Sequence, residues 1–85
     1  MELAKRFEDA QLRVKQLTKA PSTEELLDLY ALVKQASNGD VAGARPGMMD
    51  FKGRAKYDAW ASKKGTSRDR AMELSVALVD QLTGG

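Results

Sequence analysis

The sequence predicts an all-α fold, and three observations carry that prediction. Apolar residues recur at spacings of three and four in four separate segments, and each segment is bounded by residues that start or stop helices. Nowhere does the polar–apolar alternation of a strand develop. At 85 residues the chain makes one domain, spanning 1–85, with a single core that buries about 60 to 65% of the unfolded surface.

Leu3, Phe7, Ala10, Val14 and Leu17 follow one another at intervals of four and three, which places them on one stripe of a first helix. "APSTEEL" then offers Ser22 as an N-cap and Glu25, three residues on, to complete a capping box. The second helix is expected over residues 23–37, stopped by Asn38 and Gly39, which tolerate left-handed backbone. "GDVAGARPGMM", residues 39–49, holds three glycines and a proline without a sustained period and reads as a loop. Asp50 caps a third helix over residues 51–63, inside which Gly53 costs roughly 1 kcal/mol and so implies a packing reason for its presence. Gly65 closes that helix, and Thr66 or Ser67 caps a fourth. There Ala71, Leu74, Leu78 and Leu82 form one stripe with Met72, Val76 and Val79 beside it. The apolar arcs of the first and fourth helices are wide enough for each to touch more than one partner.

Composition removes several classes of function. Without cysteine there is neither a disulfide framework nor a thiolate metal site, and without histidine the commonest general base and zinc ligand are both missing. The five serines have no imidazole to activate them, so the expectation is a non-enzyme with no metal and no resident cofactor. "MELAKRFEDA" is not a signal peptide, no run approaches the roughly 20 apolar residues of a membrane span, and no lipidation motif is present. A soluble, cytoplasmic monomer without stable membrane insertion is expected. The net charge of +2 is unevenly spread: residues 41–70 hold eight Lys/Arg against three Asp/Glu. A local basic segment on a nearly neutral chain suits a compact anionic ligand and not the broad basic surface that nucleic acid requires.

"FKGRAKYDAW", residues 51–60, threads Lys52, Arg54 and Lys56 among Phe51, Tyr57 and Trp60. On a helix Lys52, Lys56 and Lys63 fall within roughly 40° of one another and Arg54 lies opposite. Phe51 and Trp60 are expected in the core, and Lys52 and Lys63 as solvated charges. Lys56 has a counterpart on the second helix, where Tyr30 and Lys34 stand four apart with Leu26 and Leu27 one turn before them. If these helices share a cleft, its polar end suits a phosphate and its leucine end an alkyl chain.

Taken together, "LYALVKQASNGD", "ARPGMMDFKGRAKYDAW" and "GTSRDRAMEL" resemble the acyl-CoA-binding protein family over nearly the whole chain, from about Leu3 to Leu82. The resemblance implies a four-helix up-down-down-up bundle that binds, shields and transports one long-chain fatty acyl-CoA thioester within the cell without chemistry on it. It implies that Tyr30, Lys34 and Lys56 hold the 3′-phosphate region of the coenzyme A head group and that Lys15 is a further head-group contact. It also implies that Leu26 and Leu27 line the acyl chain.

Three positions depart from the family pattern. Val33 stands at a head-group position where a tyrosine beside the adenine is usual, Ser75 where a second binding tyrosine is usual, and Tyr57 in place of a common tryptophan. Weaker or differently selective binding is therefore expected. The alternative from another class is a helical interaction module that uses the basic third-helix face, through Lys52 and Lys63, for a protein or an anionic membrane.

Overall fold

A computed structural model describes residues 2–84. Four helices form in the expected order: α1 Leu3–Val14, α2 Thr23–Asn38, α3 Phe51–Ala61 and α4 Arg68–Thr83. Their N-termini are built as the sequence indicates. Ser22 and Glu25 make the reciprocal capping box, with Glu25 N donating to Ser22 Oγ at 3.1 Å and Ser22 N donating to Glu25 Oε1 at 2.9 Å. The Asp50 carboxylate accepts from Gly53 N at 2.9 Å, and Ser67, not Thr66, caps α4 by accepting from Arg70 N at 3.1 Å. The packing reason for Gly53 is that cap: a Cβ there would run into the Asp50 carboxylate.

Two helices stop earlier than the periodicity suggests. The last turn of α1 tightens as Gln16 N bonds to Arg13 O and Leu17 N to Val14 O, so Leu17 reaches half-burial from a turn and not from the helical stripe. α3 ends at Ala61 because Ser62 turns its hydroxyl onto the Ala59 carbonyl, after which Lys63 and Lys64 bond three residues back and Gly65 leaves at φ 91°. Lys63 therefore lies beyond α3, where it pairs with Asp28 of α2 at 2.6 Å. It is not a free solvated charge.

Cross-element contacts reveal the directions of the helices. Arg13 meets Asp80, each near the end of its helix, so α1 and α4 run parallel. Lys56 lies over Tyr30 and Lys34 over Trp60, a constant offset that makes α2 and α3 parallel. Gln35, late in α2, bonds to Thr66 just before α4, so those two helices are antiparallel. The result is the up-down-down-up bundle.

α4 is the shared seat: α1 packs closely on α4 alone, α2 packs on α4 and α3, and α3 touches only α2. α2 thus also has two close helical partners, while α1 side chains share core clusters with those of both α4 and α2. With a single neighbour, α3 contributes no fully buried residue; Phe51 is exposed and Trp60 half-buried, contrary to their expected place in the core. One core cluster joins Ala10, Leu29, Val76 and Val79, and a second joins Phe7, Ala36 and Ala71. Alanines at these contacts allow close helix approach.

The connection from α2 to α3 is held by a polar node. The fully buried Gln35 donates through its amide nitrogen to Asp40 Oδ1 and to Thr66 O, both at 2.8 Å, and Asp40 Oδ1 also accepts from Gly65 N at 2.9 Å. Further along, Arg45 grips Asp58 through two bonds of 2.9 and 2.7 Å, and the Tyr57 hydroxyl donates to Gly43 O at 3.0 Å.

Gln35→Ala is expected to lower the unfolding free energy by about 2 to 4 kcal/mol, since it removes two hydrogen bonds and opens a cavity. Urea denaturation checks it, and a loss below about 0.5 kcal/mol would contradict the assignment. Acid acts on the same connection. The Gly65 amide, then the Gln35 amide, hold the Asp40 carboxyl below its ordinary range, and the Arg45 guanidinium does the same for Asp58. Carboxylates depressed on folding stabilise above their unfolded pKa of about 4, and that contribution is lost as pH falls through the lower folded value. Stability should therefore decline below about pH 4, with a shallower decline in Asp40→Asn, as urea midpoints measured against pH would report.

Candidate functional site

Because α1 and α2 both rest on α4 without closely approaching each other, a gap is left between their facing sides. That gap is a groove of about 340 Å³. Gln11, Val14 and Lys15, spaced as one helical face, supply its α1 wall; Leu26, Leu29, Tyr30, Val33 and Lys34 supply the α2 wall at the same period. Val14, Leu29 and Val33 tie the walls to the first core cluster, which makes the lining continuous with the packed interior.

The polar end is built around one ring. Lys56 Nζ lies 5.3 Å from the Tyr30 ring centroid and Lys34 Nζ 5.9 Å from it, while Lys34 Nζ is also 5.8 Å from the Trp60 ring. The indole is fixed in turn, since its N–H donates to Gly39 O at 2.9 Å. Neither Lys34 nor Lys56 has a carboxylate partner among the described residues. Two ammonium groups held against one phenol without an anion repel each other, and a bound anion would relieve that repulsion. A larger hollow of about 550 Å³ between α1 and α4 differs in kind: its rim mixes Arg6 and Arg70 with Glu73 and Asp80, and Arg70 is already paired with Glu73.

Of the residues expected at the site, Lys15, Leu26, Tyr30, Val33 and Lys34 line the groove, and Lys56 reaches it across the face of Tyr30. Two others are not brought there. Leu27 sits one residue, about 100°, round α2 from Leu26 and is half-buried outside the groove lining. Ser75 is buried within the bundle, its hydroxyl donating to the Ala71 carbonyl at 2.8 Å, so a short side chain is satisfied inside its own helix. Sequence reasoning missed Gln11, Val14 and Leu29. Val14 and Leu29 carry the correct period but were assignable only to the core, because periodicity does not tell a groove floor from a buried face.

A helical bundle with a one-sided apolar groove, rimmed by Lys15 and Lys34 and reached by Lys56 across Tyr30, has the architecture of a site for an amphiphilic ligand. The sequence profile described as acyl CoA binding protein matches residues 4–79, and the chain belongs to that family. It is 51% identical over 76 residues to acyl-CoA-binding protein homolog 1 of Caenorhabditis elegans, covering 89% of this chain and 88% of that one. It is 49% identical over 82 residues to the acyl-CoA-binding protein of Brassica napus, covering 96% and 89%. Among solved structures, acyl-CoA-binding protein 2 of Oryza sativa superposes with a TM-score of 0.93 at 39% identity, covering 96% of this chain and 89% of that one. The protein from Moniliophthora perniciosa superposes at 0.85 with 38% identity, covering 100% and 86%.

Proposed function

We propose that this chain binds one long-chain acyl-CoA thioester in the groove between α1 and α2, shields it from water and carries it in the cytoplasm as a monomer without chemical change. The observation that carries the reading is the pair of unneutralised ammonium groups of Lys34 and Lys56 on the Tyr30 ring, beside an apolar groove. A phosphate meeting these two cations and the Tyr30 hydroxyl makes charge-assisted hydrogen bonds in a partly desolvated place, while Lys15 on the α1 rim adds a further positive charge. The alkyl chain follows Leu26 and Leu29. Each CH₂ buried contributes about 0.8 kcal/mol, so a chain of about a dozen carbons offsets the cost of ordering the ligand. Binding both halves at once restricts the site to molecules that are anionic at one end and oily at the other. A non-catalytic role agrees with the family's character as binding proteins, and Val33 on the groove wall leaves the adenine without a stacked ring there.

The alternative role, in which Lys52 and Lys63 engage a partner in place of acyl-CoA, is not favoured, because Lys63 is already committed to Asp28.

Calorimetric titration with palmitoyl-CoA below its micelle concentration, beside free coenzyme A and free palmitate, tests the reading. Sub-micromolar binding of the thioester, with each half roughly a hundredfold weaker, is expected; no binding of the thioester would overturn it. Lys34→Ala and Lys56→Ala are each expected to weaken binding by about 1.5 to 3 kcal/mol, and Lys52→Ala by less. Wild-type affinity in either of the first two variants would remove that residue from the site. Restoring one ring, Val33→Tyr, is expected to tighten binding by about 1 to 3 kcal/mol, and a side-by-side titration of a relative carrying both tyrosines should show the same sign. Equal affinities would show that the missing aromatics do not set the binding strength.

A further inference from the structure

The α1 wall of the groove carries a side chain that neither the core nor the cation pair accounts for. Gln11 lines the groove half-buried and lies outside both core clusters. Its amide makes no hydrogen bond to another described residue. The packing around it fixes its level. α1 is parallel to α4 and α2 antiparallel to it, so α1 and α2 run in opposite directions, and Phe7 of α1 shares a core cluster with Ala36 of α2. A turn onward from Phe7 and a turn back from Ala36 set Gln11 level with residues 30–33, across the groove from Tyr30 and Val33. The next turn sets Lys15 level with the stretch between Leu26 and Leu29.

Chemistry narrows what Gln11 meets there. In coenzyme A the 3′-phosphate and the adenine are carried by the same ribose, so a phosphate held by Lys34, Lys56 and the Tyr30 hydroxyl leaves the base in this stretch of the groove. On the α2 wall Val33 offers the base methyl groups and no hydrogen bond, and the lysines of the lining donate but do not accept. Gln11 is the only side chain of the lining that holds a donor and an acceptor side by side in one plane. That pattern is complementary to the adenine edge, where an amino donor stands next to a ring nitrogen that accepts. We propose that Gln11 reads the base of the bound nucleotide, its amide oxygen accepting from the adenine amino group and its amide nitrogen donating to the neighbouring ring nitrogen. The inference rests on the groove being an acyl-CoA site, and goes beyond it by assigning selectivity for the base to an α1 side chain. A wall that hydrogen-bonds an N–H rejects an analogue lacking it more sharply than apolar contact does, so base-edge pairing supplies here the discrimination that Val33 cannot.

The test is calorimetric titration of the wild type, Gln11→Ala and Gln11→Leu with three palmitoyl thioesters. These are palmitoyl-CoA, its analogue in which purine without the 6-amino group replaces adenine, and palmitoyl-4′-phosphopantetheine, which has no nucleotide. Because Gln11 stands outside both core clusters, the variants should keep the helical circular dichroism of the wild type. The wild type is expected to bind the purine analogue about fivefold more weakly than palmitoyl-CoA. Both variants should bind palmitoyl-CoA about tenfold more weakly than the wild type and no longer distinguish the two bases. Their affinity for palmitoyl-4′-phosphopantetheine should equal that of the wild type. Leucine matches glutamine in size, so Gln11→Leu separates lost hydrogen bonds from lost packing. Wild-type affinity for palmitoyl-CoA in Gln11→Leu, or undiminished base discrimination in either variant, overturns the proposal. So does an equal loss toward palmitoyl-4′-phosphopantetheine, which would place the amide on the pantetheine arm. A wild type that binds palmitoyl-CoA but accepts both bases equally defeats this inference alone, whereas one that does not bind palmitoyl-CoA defeats the acyl-CoA reading and this inference with it.

Discussion

α4 carries small residues, Ala71, Ser75, Val76 and Val79, on the faces it turns toward α1 and α2, and all four are buried. Small side chains there let both helices approach the same seat, yet the seat is wide enough to keep them apart from each other. The groove is the space so left, and its floor is the core cluster itself. The core and the groove therefore share atoms: Val14, Leu29 and Val33 pack against the core cluster and line the groove at once. In a chain this short no second core is available to separate the two tasks.

The cationic end carries a cost that a structure selected for stability alone would avoid. Lys34 and Lys56 confront the same ring without an acid between them, whereas Arg13, Arg45 and Lys63 each have a carboxylate partner. Pairing is thus available in this protein and is absent where these two cations share one ring. Unsatisfied charge beside an apolar trough is where departure from local consistency points to function. Tyr30 makes the arrangement tolerable, since its face attracts both ammonium groups while no anion is present.

Much of this was legible in the sequence, and the limits have physical causes. Helix starts were readable because Ser22, Asp50 and Ser67 act through local hydrogen bonds that need only neighbours in the chain. Helix ends were less so: the Ser62 hydroxyl competing for a carbonyl and the tightened turn before Leu17 leave the apolar period intact. Lys34 and Tyr30 could be placed together by spacing, and Lys56 with them once a shared cleft was supposed. Ser75 could not be judged, because whether an α4 position faces the core or the ligand depends on how far α1 and α2 are splayed. Phe51 failed for the same reason at larger scale, for its burial depended on α3 having a second neighbour, which it lacks. Gln35 was invisible as an anchor: polar residues are ordinarily exposed, and its partners Asp40 and Thr66 are brought together only by the fold.

The parallel course of α2 and α3 governs what stands at each end of the molecule. Parallel neighbours need a connection that returns along the length of a helix, about 16 Å for the 11 residues of α3. Residues 39–50 make that return, held to α3 on the way by Arg45 on Asp58 and by Tyr57 on Gly43. A glycine-rich loop read from sequence as a mere break is thus a strap whose path is constrained at both ends. It starts at the Gln35 and Asp40 node beside the cationic end of the groove and finishes in Met48 and Met49 beside the apolar end. The same topology that sets Lys56 against Tyr30 therefore delivers the exposed Met48 and Met49 to the end of the bundle where Leu26 stands. An antiparallel α3 on a short turn would have placed neither.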